Sequence, residues 1–497
     1  MTEDVPAAYK KLAKMSEEAY LLDCTAALAS WDQETNMPHE GVEFRAKQAA
    51  YLRGKQHQLV TSKKVDDWIT ECEDAALPRT SEEGVNIREW RYHFEREAKL
   101  PKKLVEEFEE TCALAHAAWV DARKASDFSK FQPHLEKVLK LRLEQAECWG
   151  YEDEPYDALL EKYERGAKTR QISKLFDDLQ PDLVDLVADA TSGRSRIPKD
   201  MLAGRYSEAK QKELNRMVAE DIGFDFNAGR IDTAVHPFCT TLGPRDVRLT
   251  TRYDEKDFTS SLYGVLHEAG HGIYEQGLPG GEHATLPIAR AVSLGIHESQ
   301  SRLWENHVGR SAAFWKKWLP TVKKLFPKLE KVTPKKMTQA VNRAQKSFIR
   351  VEADEVTYDL HVLLRFRLER ALVNKELPVS DLPGAWNEMF EELFEMEVPD
   401  DAHGCLQDVH WSFGLIGYFP TYSLGNINAA QLARRAMIDS TIAEDLEKGE
   451  FSSLREWLNE KIHSQGTRHL PPDLIKNATG EKPQAHYLLE HLRERYI

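Results

Sequence analysis

The sequence predicts an all-α protein that carries one short β-hairpin, and three observations favour this fold. Long stretches of the chain lack Gly and Pro and are rich in Glu, Lys, Leu and Ala. Their apolar residues recur three or four positions apart, which is the period of an amphipathic helix. The exception is a pair of β-branched, alternating runs on either side of a Gly-Pro turn, a pattern typical of a hairpin.

The helices follow one another with recognisable start signals. Ser81 is a helix cap followed by two acidic residues, and Pro101 suits the first turn of the next helix. Periodic runs predict helices over residues 5–35, 42–75, 81–100, 130–148, 168–192 and 206–221. Between residues 334 and 377 there is neither Gly nor Pro, which predicts one very long helix or two helices joined by a kink.

The predicted hairpin pairs residues 239–242 with residues 246–253 around Gly243-Pro244. It immediately precedes the helix that carries the most informative motif of the chain. We therefore weigh two interpretations, a wall of a functional site and an ordinary surface hairpin.

The chain is interpreted as a single helical domain over residues 1–497. Breaks at 152–155, 194–198, 277–281 and 425–428 are short, and the sequence has neither a Ser/Gly-rich linker nor an internal repeat. Its approximate parts are an N-terminal helical half (1–230), a middle part with the hairpin and the motifs (231–430), and C-terminal helices (431–497).

Composition excludes several functional classes. Lys and Arg number 67 and Asp and Glu 82, a net charge of −15, which argues against a nucleic-acid or anionic-membrane partner. The chain lacks an apolar run long enough to span a membrane, and its start lacks the apolar segment of a signal peptide. Six scattered cysteines without a CxxC pair suit a reducing compartment, so we expect a cytoplasmic protein.

An HExxH motif, His267-Glu268-Ala269-Gly270-His271, lies in a predicted helix. Residues four apart share a helix face, so both imidazoles can bind one Zn²⁺. Glu268 is offset from the two histidines and can reach a water on the metal. Gly264, Gly270 and Gly272 weaken such a helix, which is understandable if another backbone packs closely against it.

The best candidate for a third ligand is Glu298, which lies 27 residues beyond His271 on a new amphipathic helix. Zinc in catalytic sites takes three protein ligands and leaves a fourth position open. Arg302, one turn later, can orient the Glu298 carboxylate. The alternative, an ordinary exposed Glu–Arg pair, becomes less convincing beside the HExxH motif.

With these motifs the chain resembles the carboxypeptidase Taq family of metallocarboxypeptidases. The resemblance spans nearly the whole sequence, through HExxH and the segments 31–35, 236–238, 246–250, 297–300, 349–354, 404–411 and 417–426. It implies a helical fold with a deep groove, similar to neurolysin and angiotensin-converting enzyme. It also implies one Zn²⁺ (or Co²⁺) ion per subunit, a homodimer, and removal of C-terminal residues from peptides with broad preference.

The expected chemistry is attack on a peptide carbonyl by a water that the metal activates, with Glu268 as general base. The resemblance places Tyr422 and His410 near the metal, where they can stabilise the oxyanion. On sequence alone, a Tyr or His between aromatic residues is usually a core residue whose polar tip is satisfied.

An exopeptidase must also bind the free α-carboxylate, for which a guanidinium is well suited. Arg350 is our first candidate, in the predicted long helix with Asp354 four residues later to fix its geometry. Arg248, which we expect to face the groove from the hairpin, is the second. His236 and Gln407, together with Asp408, either orient a ligand or a substrate or complete a buried polar network.

The sequence alone is compatible with two other functions. An oligopeptidase with the same zinc chemistry would cut inside peptides, and the metal motif alone does not distinguish it from a carboxypeptidase. A helical scaffold without catalysis would have no need of His267, Glu268, His271 and Glu298 together.

Overall fold

The computed structural model describes residues 5–192 and 201–497, and most of these residues are helical. Twenty α-helices and a three-stranded sheet are defined within them, which confirms the predicted all-α fold with a small sheet. None of the helices in this part of the chain is long and apolar enough to cross a lipid bilayer. The break predicted at 194–198 lies outside the described residues.

Nine helices precede the sheet. They are α1 (Ala7–Thr35), α2 (Val42–Val60), α3 (Lys63–Asp74), α4 (Glu82–Ala98), α5 (Lys102–Ala125), α6 (Gln132–Trp149), α7 (Pro155–Leu160), α8 (Thr169–Thr191) and α9 (Glu208–Ile222). The single helix predicted over 42–75 is wrong, because the chain breaks at Thr61-Ser62. The Thr61 hydroxyl donates to the carbonyl of His57 at 2.7 Å, and such side-chain bonds to the backbone favour helix ends.

The sheet contains β1 (Gly229–Thr233), β2 (Cys239–Gly243) and β3 (Asp246–Thr251) in the order β1-β3-β2. The predicted hairpin is β2–β3, in which Cys239 pairs with Leu249. The sequence prediction missed β1, which runs parallel to β3 and pairs Arg230 with Arg248. Its segment contains a single large apolar residue, Ile231, and therefore shows no alternating pattern.

Eleven helices follow the sheet. They are α10 (Phe258–Gly277), α11 (Leu294–Arg302), α12 (Ala312–Leu325), α13 (Pro334–Val341), α14 (Tyr358–Val373), α15 (Leu382–Phe394), α16 (Pro420–Ala436), α17 (Ser440–Lys448), α18 (Ser452–Lys461), α19 (Pro471–Thr479) and α20 (His486–Tyr496). Helix α11 continues directly into a π-helical segment, Leu303–Val308.

The very long helix predicted over residues 334–377 is wrong. The chain leaves α13 after Val341, passes through an irregular stretch and a 3₁₀ turn at Arg350–Glu352, and enters α14 at Tyr358. The side chain of Asp354 accounts for part of this break in the helix. Its carboxylate accepts N–H groups of Gln345 at 2.6 Å and of Val356 at 3.0 Å, which replace helical hydrogen bonds.

Two large apolar cores share helix α16. Leu424 and Ile427 of α16 pack into a core built mainly from α5–α8, α14 and α15, whereas Ala429 and Leu432 pack into a core around α9–α13. A third, smaller core joins α1, α3 and α4. Helix α11 packs against both α10 and α16. The side chains of α11 therefore lie where the two large cores meet.

Candidate metal centre and active site

Helix α10 positions both histidines of the HExxH motif. Its start is fixed by Asp257, whose carboxylate accepts the N–H of Thr259 at 2.9 Å. The imidazole rings of His267 and His271 lie on one face of α10, with centroids 4.9 Å apart. The helix therefore presents two nitrogen ligands towards the same point.

Glycines allow α11 and α16 to approach closely. A Cβ atom at Gly270 of α10 would lie 2.6 Å from the Ser301 Cα of α11, so these two backbones touch as the sequence predicted. Gly264 and Gly272, by contrast, are approached by side chains rather than by a backbone. On the other side of α11, a Cβ at Gly425 of α16 would lie 2.4 Å from the Glu298 Cγ. Because neither glycine has a side chain, α11 can pack closely between α10 and α16, with Glu298 beside the histidines of α10.

His267, His271 and Glu298 each offer a ligand atom within 4.8 Å of the other two. The Glu298 Oε2 atom lies 3.6 Å from His267 Nε2 and 3.5 Å from His271 Nε2. A tetrahedral ion with bonds of about 2.0–2.2 Å separates its ligands by about 3.3–3.6 Å. The three side chains therefore fit one divalent cation of the size of zinc.

The charges of the three side chains also suit a cation. Burial opposes the ionisation of Glu298, but Arg302 and His267 hold the pKa of this carboxyl well below its usual range. Burial and the neighbouring His297 lower the pKa of His271 to about 4, so its imidazole is neutral. Burial disfavours the charged form of His267, but the carboxylates of Glu298 and Glu305 outweigh burial and raise the pKa of His267 to about 9. A cation that binds His267 must therefore displace a proton from it.

Carboxylates and one imidazole hold the far nitrogens of both histidines. His267 Nδ1 lies 2.9 Å from Glu305 Oε2, and His271 Nδ1 lies 2.5 Å from His297 Nδ1. His297 Nε2 in turn lies 2.8 Å from Glu275 Oε1. These contacts leave both Nε2 atoms for the cation.

Sequence reasoning missed Glu305 and Glu275, although helical spacing could have identified both. Glu275 continues the face of His267 and His271 by one more turn, and Glu305 lies seven residues after Glu298. The expected pair of Arg302 with Glu298 is present, since Arg302 Nε donates to Glu298 Oε1 at 2.7 Å. Glu298 is 7% exposed, so this is a buried ion pair and not the exposed pair considered above.

Glu268 follows the first histidine of α10 and is buried. Burial raises the pKa of its carboxyl to about 7, with a further contribution from Glu298, whereas the positive charge of His267 acts in the opposite direction. A carboxylate with this pKa can both accept and return a proton near neutral pH.

Arg350 does not lie on a helix, and Asp354 does not orient it, contrary to the sequence prediction. Arg350 lies in the 3₁₀ turn, where its Nε and Nη2 atoms donate to Asp408 Oδ1 at 3.0 and 2.8 Å. Arg365 of α14 donates to the second oxygen of Asp408 at 2.6 Å. Asp354 instead accepts backbone N–H groups, because its position after the turn directs its carboxylate into the loop.

Tyr358, which sequence reasoning also missed, connects Arg350 to the metal-site residues. Its hydroxyl accepts a hydrogen bond from Arg350 Nη1 at 2.7 Å. The guanidinium of Arg302 lies over the ring of the same tyrosine, 4.5 Å from its centroid. One aromatic side chain therefore separates the arginine that holds Glu298 from the arginine proposed for the substrate.

Tyr422 and His410 lie together beside Arg350. His410 Nε2 is 3.1 Å from the Tyr422 hydroxyl, and the Arg350 guanidinium lies 4.9 Å from the Tyr422 ring centroid. Burial raises the pKa of Tyr422 well above its usual value and lowers that of His410 to about 4. Both side chains are therefore neutral at neutral pH.

The remaining predicted residues occupy supporting or outlying positions. Gln407 Oε1 accepts the backbone N–H of Arg350 at 2.9 Å, so it orients the turn. Arg248 Nε donates to Asp246 Oδ1 at 2.9 Å, and the Arg248 guanidinium lies over the ring of Trp31, 4.2 Å from its centroid. Arg248 is therefore directed at α1. His236 is exposed in the connection between β1 and β2.

Comparisons with known proteins find similarity along nearly the whole chain. The family model of the carboxypeptidase Taq (M32) metallopeptidases matches residues 11–496. Thermostable carboxypeptidase 1 of Thermus thermophilus is 40% identical over 502 residues, which cover 99% of this chain and 98% of that protein.

Solved structures extend the agreement to the whole fold. The M32 carboxypeptidase of Deinococcus radiodurans superimposes with a TM-score of 0.94 at 38% identity, covering 99% of both chains. The Pyrococcus furiosus carboxypeptidase superimposes with a TM-score of 0.95 at 36% identity and the same coverage of both chains. On these grounds the chain belongs to the carboxypeptidase Taq (M32) family of metallopeptidases.

Proposed function

We propose that this metallocarboxypeptidase removes single residues from the free C-terminus of peptides, with broad preference for the residue released. One observation carries the proposal. Arg350 and Arg365 are 4% and 0% exposed, and among the described residues Asp408 is the only carboxylate within 4.0 Å of either guanidinium. Two buried positive charges against one negative charge create a demand for a second anion.

The α-carboxylate of a peptide is that anion in our proposal. Arg350 is the anchor, because it lies beside Tyr422 and, through Tyr358, beside the residue that holds Glu298. Asp408 and Gln407 orient Arg350, while Arg365 adds a second positive charge on the other oxygen of Asp408. The geometry of Arg248, Asp354 and His236 gives these residues no comparable role, so we do not include them in the anchor.

His267, His271 and Glu298 are proposed to hold one Zn²⁺ per chain, and Co²⁺ can substitute in such a set of ligands. When bound, the ion would lower the pKa of a water molecule and polarise the scissile carbonyl. Glu305 and His297 would keep both imidazoles in the tautomer that leaves Nε2 free.

Glu268 is the proposed general base. It takes a proton from the attacking water and then passes it to the nitrogen of the leaving amino acid. Its buried position supports this role, because burial raises its pKa to about 7 and makes both transfers accessible.

Tyr422 and His410 are proposed to stabilise the oxyanion that develops on the scissile carbonyl. A neutral His410 with its proton on Nε2 donates to the Tyr422 oxygen, 3.1 Å away. The phenol hydrogen is then free to point at the substrate. A donor placed in this way is typically worth about 10²–10³-fold in kcat.

A comparison of one peptide in two forms tests the proposal against an internally cutting oligopeptidase. We expect the form with a free C-terminus to lose its last residue and the C-terminally amidated form to react at least about 100-fold more slowly, because the amide lacks the charge that Arg350 binds. Equal turnover of both forms, or fragments cut internally, would favour the oligopeptidase. Full turnover after exhaustive chelation would rule out a metal-dependent reaction.

Further proposals concern the setting of the enzyme. The chain is proposed to form one domain, to assemble as a homodimer and to act in the cytoplasm, where its six unpaired cysteines would remain reduced. Its net charge of −15 supports peptides rather than nucleic acids as partners. Sedimentation analysis tests the dimer, and amino acids released from a peptide library test the breadth of preference.

A further inference from the structure

The π-helical segment Leu303–Val308 lies directly after the helix that carries Glu298. Such segments are uncommon and are found frequently at functional sites. On one side of the segment Glu305 contacts His267 Nδ1 at 2.9 Å. His307 extends from the same segment towards the C-terminal helix α20, so the segment joins the metal-site residues to the end of the chain.

Helix α20 contacts the π-helical segment at two points. The rings of His307 and His491 lie 3.9 Å apart between centroids. Arg495 Nη1 donates to the backbone carbonyl of Asn306 at 2.5 Å, next to Glu305 in sequence. The second contact fixes the backbone from which the Glu305 side chain projects.

A single carboxylate holds this end of α20 in place. Glu355, from the loop before α14, accepts hydrogen bonds from His491 at 2.8 Å, from Arg495 at 3.1 Å and from the Tyr496 hydroxyl at 3.0 Å. Arg495 is therefore held between Glu355 and the carbonyl of Asn306. Its guanidinium has little freedom to move independently of the segment.

The side chains of His307, Glu355 and His491 have the composition of a second metal site, with ligand atoms within 4.8 Å of one another. Two observations argue against that interpretation. Both oxygens of Glu355 already accept hydrogen bonds from α20, and the Arg495 guanidinium 3.1 Å away would repel a divalent cation. The cluster is better explained as the attachment point of α20.

We propose that Arg495 is a positioning residue of the metal centre, which acts through the π-helical segment and Glu305 on His267. The inference rests on the ligand set proposed above. It assigns to the last turn of the chain a role in metal affinity and not only in packing.

Arg495→Gln tests the inference, with Arg493→Gln as the matched control. Arg493 lies on the same helix, is exposed and pairs with Asp182 of α8, away from the π-helical segment. Zinc affinity is measured by competition with a chelator, and the visible spectrum of the Co²⁺-substituted protein reports the ligand geometry. We expect about tenfold weaker zinc binding and an altered spectrum for Arg495→Gln, with neither change for Arg493→Gln.

A double-mutant cycle with Glu305→Gln separates positioning from general loss of structure. If Arg495 acts through Glu305, Arg495→Gln should weaken zinc binding little in the Glu305→Gln background. Full additivity of the two effects would overturn the inference, as would unchanged affinity in Arg495→Gln. If Arg495→Gln does not fold, Tyr496→Phe replaces it with an expected two- to threefold loss of affinity, and no loss would count against the inference.

Failure of the inference and failure of the proposed function remain distinguishable. The proposed function requires one equivalent of zinc in the unmodified protein and its loss in His267→Ala, whatever Arg495 does. A second tightly bound equivalent that disappears in His491→Ala would overturn our interpretation of the Glu355 cluster while leaving the catalytic site intact.

Discussion

His267 and Glu305 form a half-buried pair in which the imidazole Nδ1 lies 2.9 Å from a carboxylate oxygen. The same carboxylate is 3.3 Å from Arg302 Nη1 and 3.5 Å from Arg310 Nη2. Burial opposes ionisation of Glu305, but these two arginines and His267 lower its pKa to about 2. The carboxylate is therefore charged at neutral pH, and it fixes which nitrogen of His267 remains available.

We expect Glu305→Gln to weaken zinc binding by about 10–100-fold, because an amide orients and polarises the imidazole less strongly than a carboxylate. Isothermal titration or chelator competition measures the change. Glu330→Gln, at an exposed position, is the control and should leave the affinity unchanged. Equal affinity in both variants would mean that Glu305 does not orient the ligand.

Much of this molecule could be predicted from local patterns in the sequence. Helical periodicity identified most of the helices before the sheet, and the i, i+4 spacing of His267 and His271 placed two ligands on one face. Features that depend on distant residues could not be predicted in this way. The partner of Arg350 is Asp408, 58 residues away, whereas the neighbour Asp354 satisfies backbone groups instead. Local spacing cannot reveal which of two carboxylates the fold brings to a guanidinium.

Replacement of Glu268 by Gln should abolish hydrolysis and leave zinc content unchanged. The amide cannot accept a proton from water, and a positioned base contributes about 10²–10⁴-fold to the rate. Steady-state kinetics and metal analysis on one sample measure both properties. Glu282→Gln, at an exposed turn, is the control variant and should keep full activity. Substantial turnover by Glu268→Gln would remove this residue from the role of base.

Arg350→Lys should raise KM for peptides with a free C-terminus by about 30–150-fold, equivalent to about 2–3 kcal/mol. An ammonium group cannot reproduce the simultaneous contacts of the guanidinium with Asp408, Tyr358 and a carboxylate. Arg367→Lys is the matched control, because Arg367 lies on α14 and pairs with Asp177 at the surface. A KM close to that of the unmodified enzyme, with normal folding, would move the substrate anchor elsewhere.

Gly425→Ala should weaken zinc binding and lower the free energy of unfolding by about 1–3 kcal/mol. The added Cβ would lie 2.4 Å from the Glu298 Cγ, so the Glu298 side chain must leave the position from which it faces the two histidines. In Gly384→Ala, within α15, the added methyl group meets nothing within 4 Å. That control should stabilise the protein by about 0.4–1 kcal/mol. Similar behaviour of the two variants would show that α16 does not set the position of Glu298.

The buried carboxylate of Glu164 holds the start of α11. It accepts the N–H of Gly295 at 2.9 Å and the hydroxyl of Ser293 at 3.0 Å. Burial nevertheless raises its pKa to about 7, from about 4.5 in the unfolded chain. Between these two values the folded state binds more protons than the unfolded state. The stabilisation associated with this group is therefore fully present below pH 4.5 and is lost as the pH rises through 7.

Glu164→Gln should remove this dependence, because the amide has no charge; its oxygen can still accept the N–H of Gly295, and its NH2 group can donate to the Ser293 hydroxyl. The stability of the variant relative to the unmodified protein should therefore increase from pH 5 to pH 8, with a limiting slope of about 1.4 kcal/mol per pH unit. Urea unfolding at a series of pH values measures the difference. Glu152→Gln, at a side chain that is 81% exposed, should show no such trend. A pH-independent difference for Glu164→Gln would mean that this carboxyl titrates alike in the folded and unfolded states.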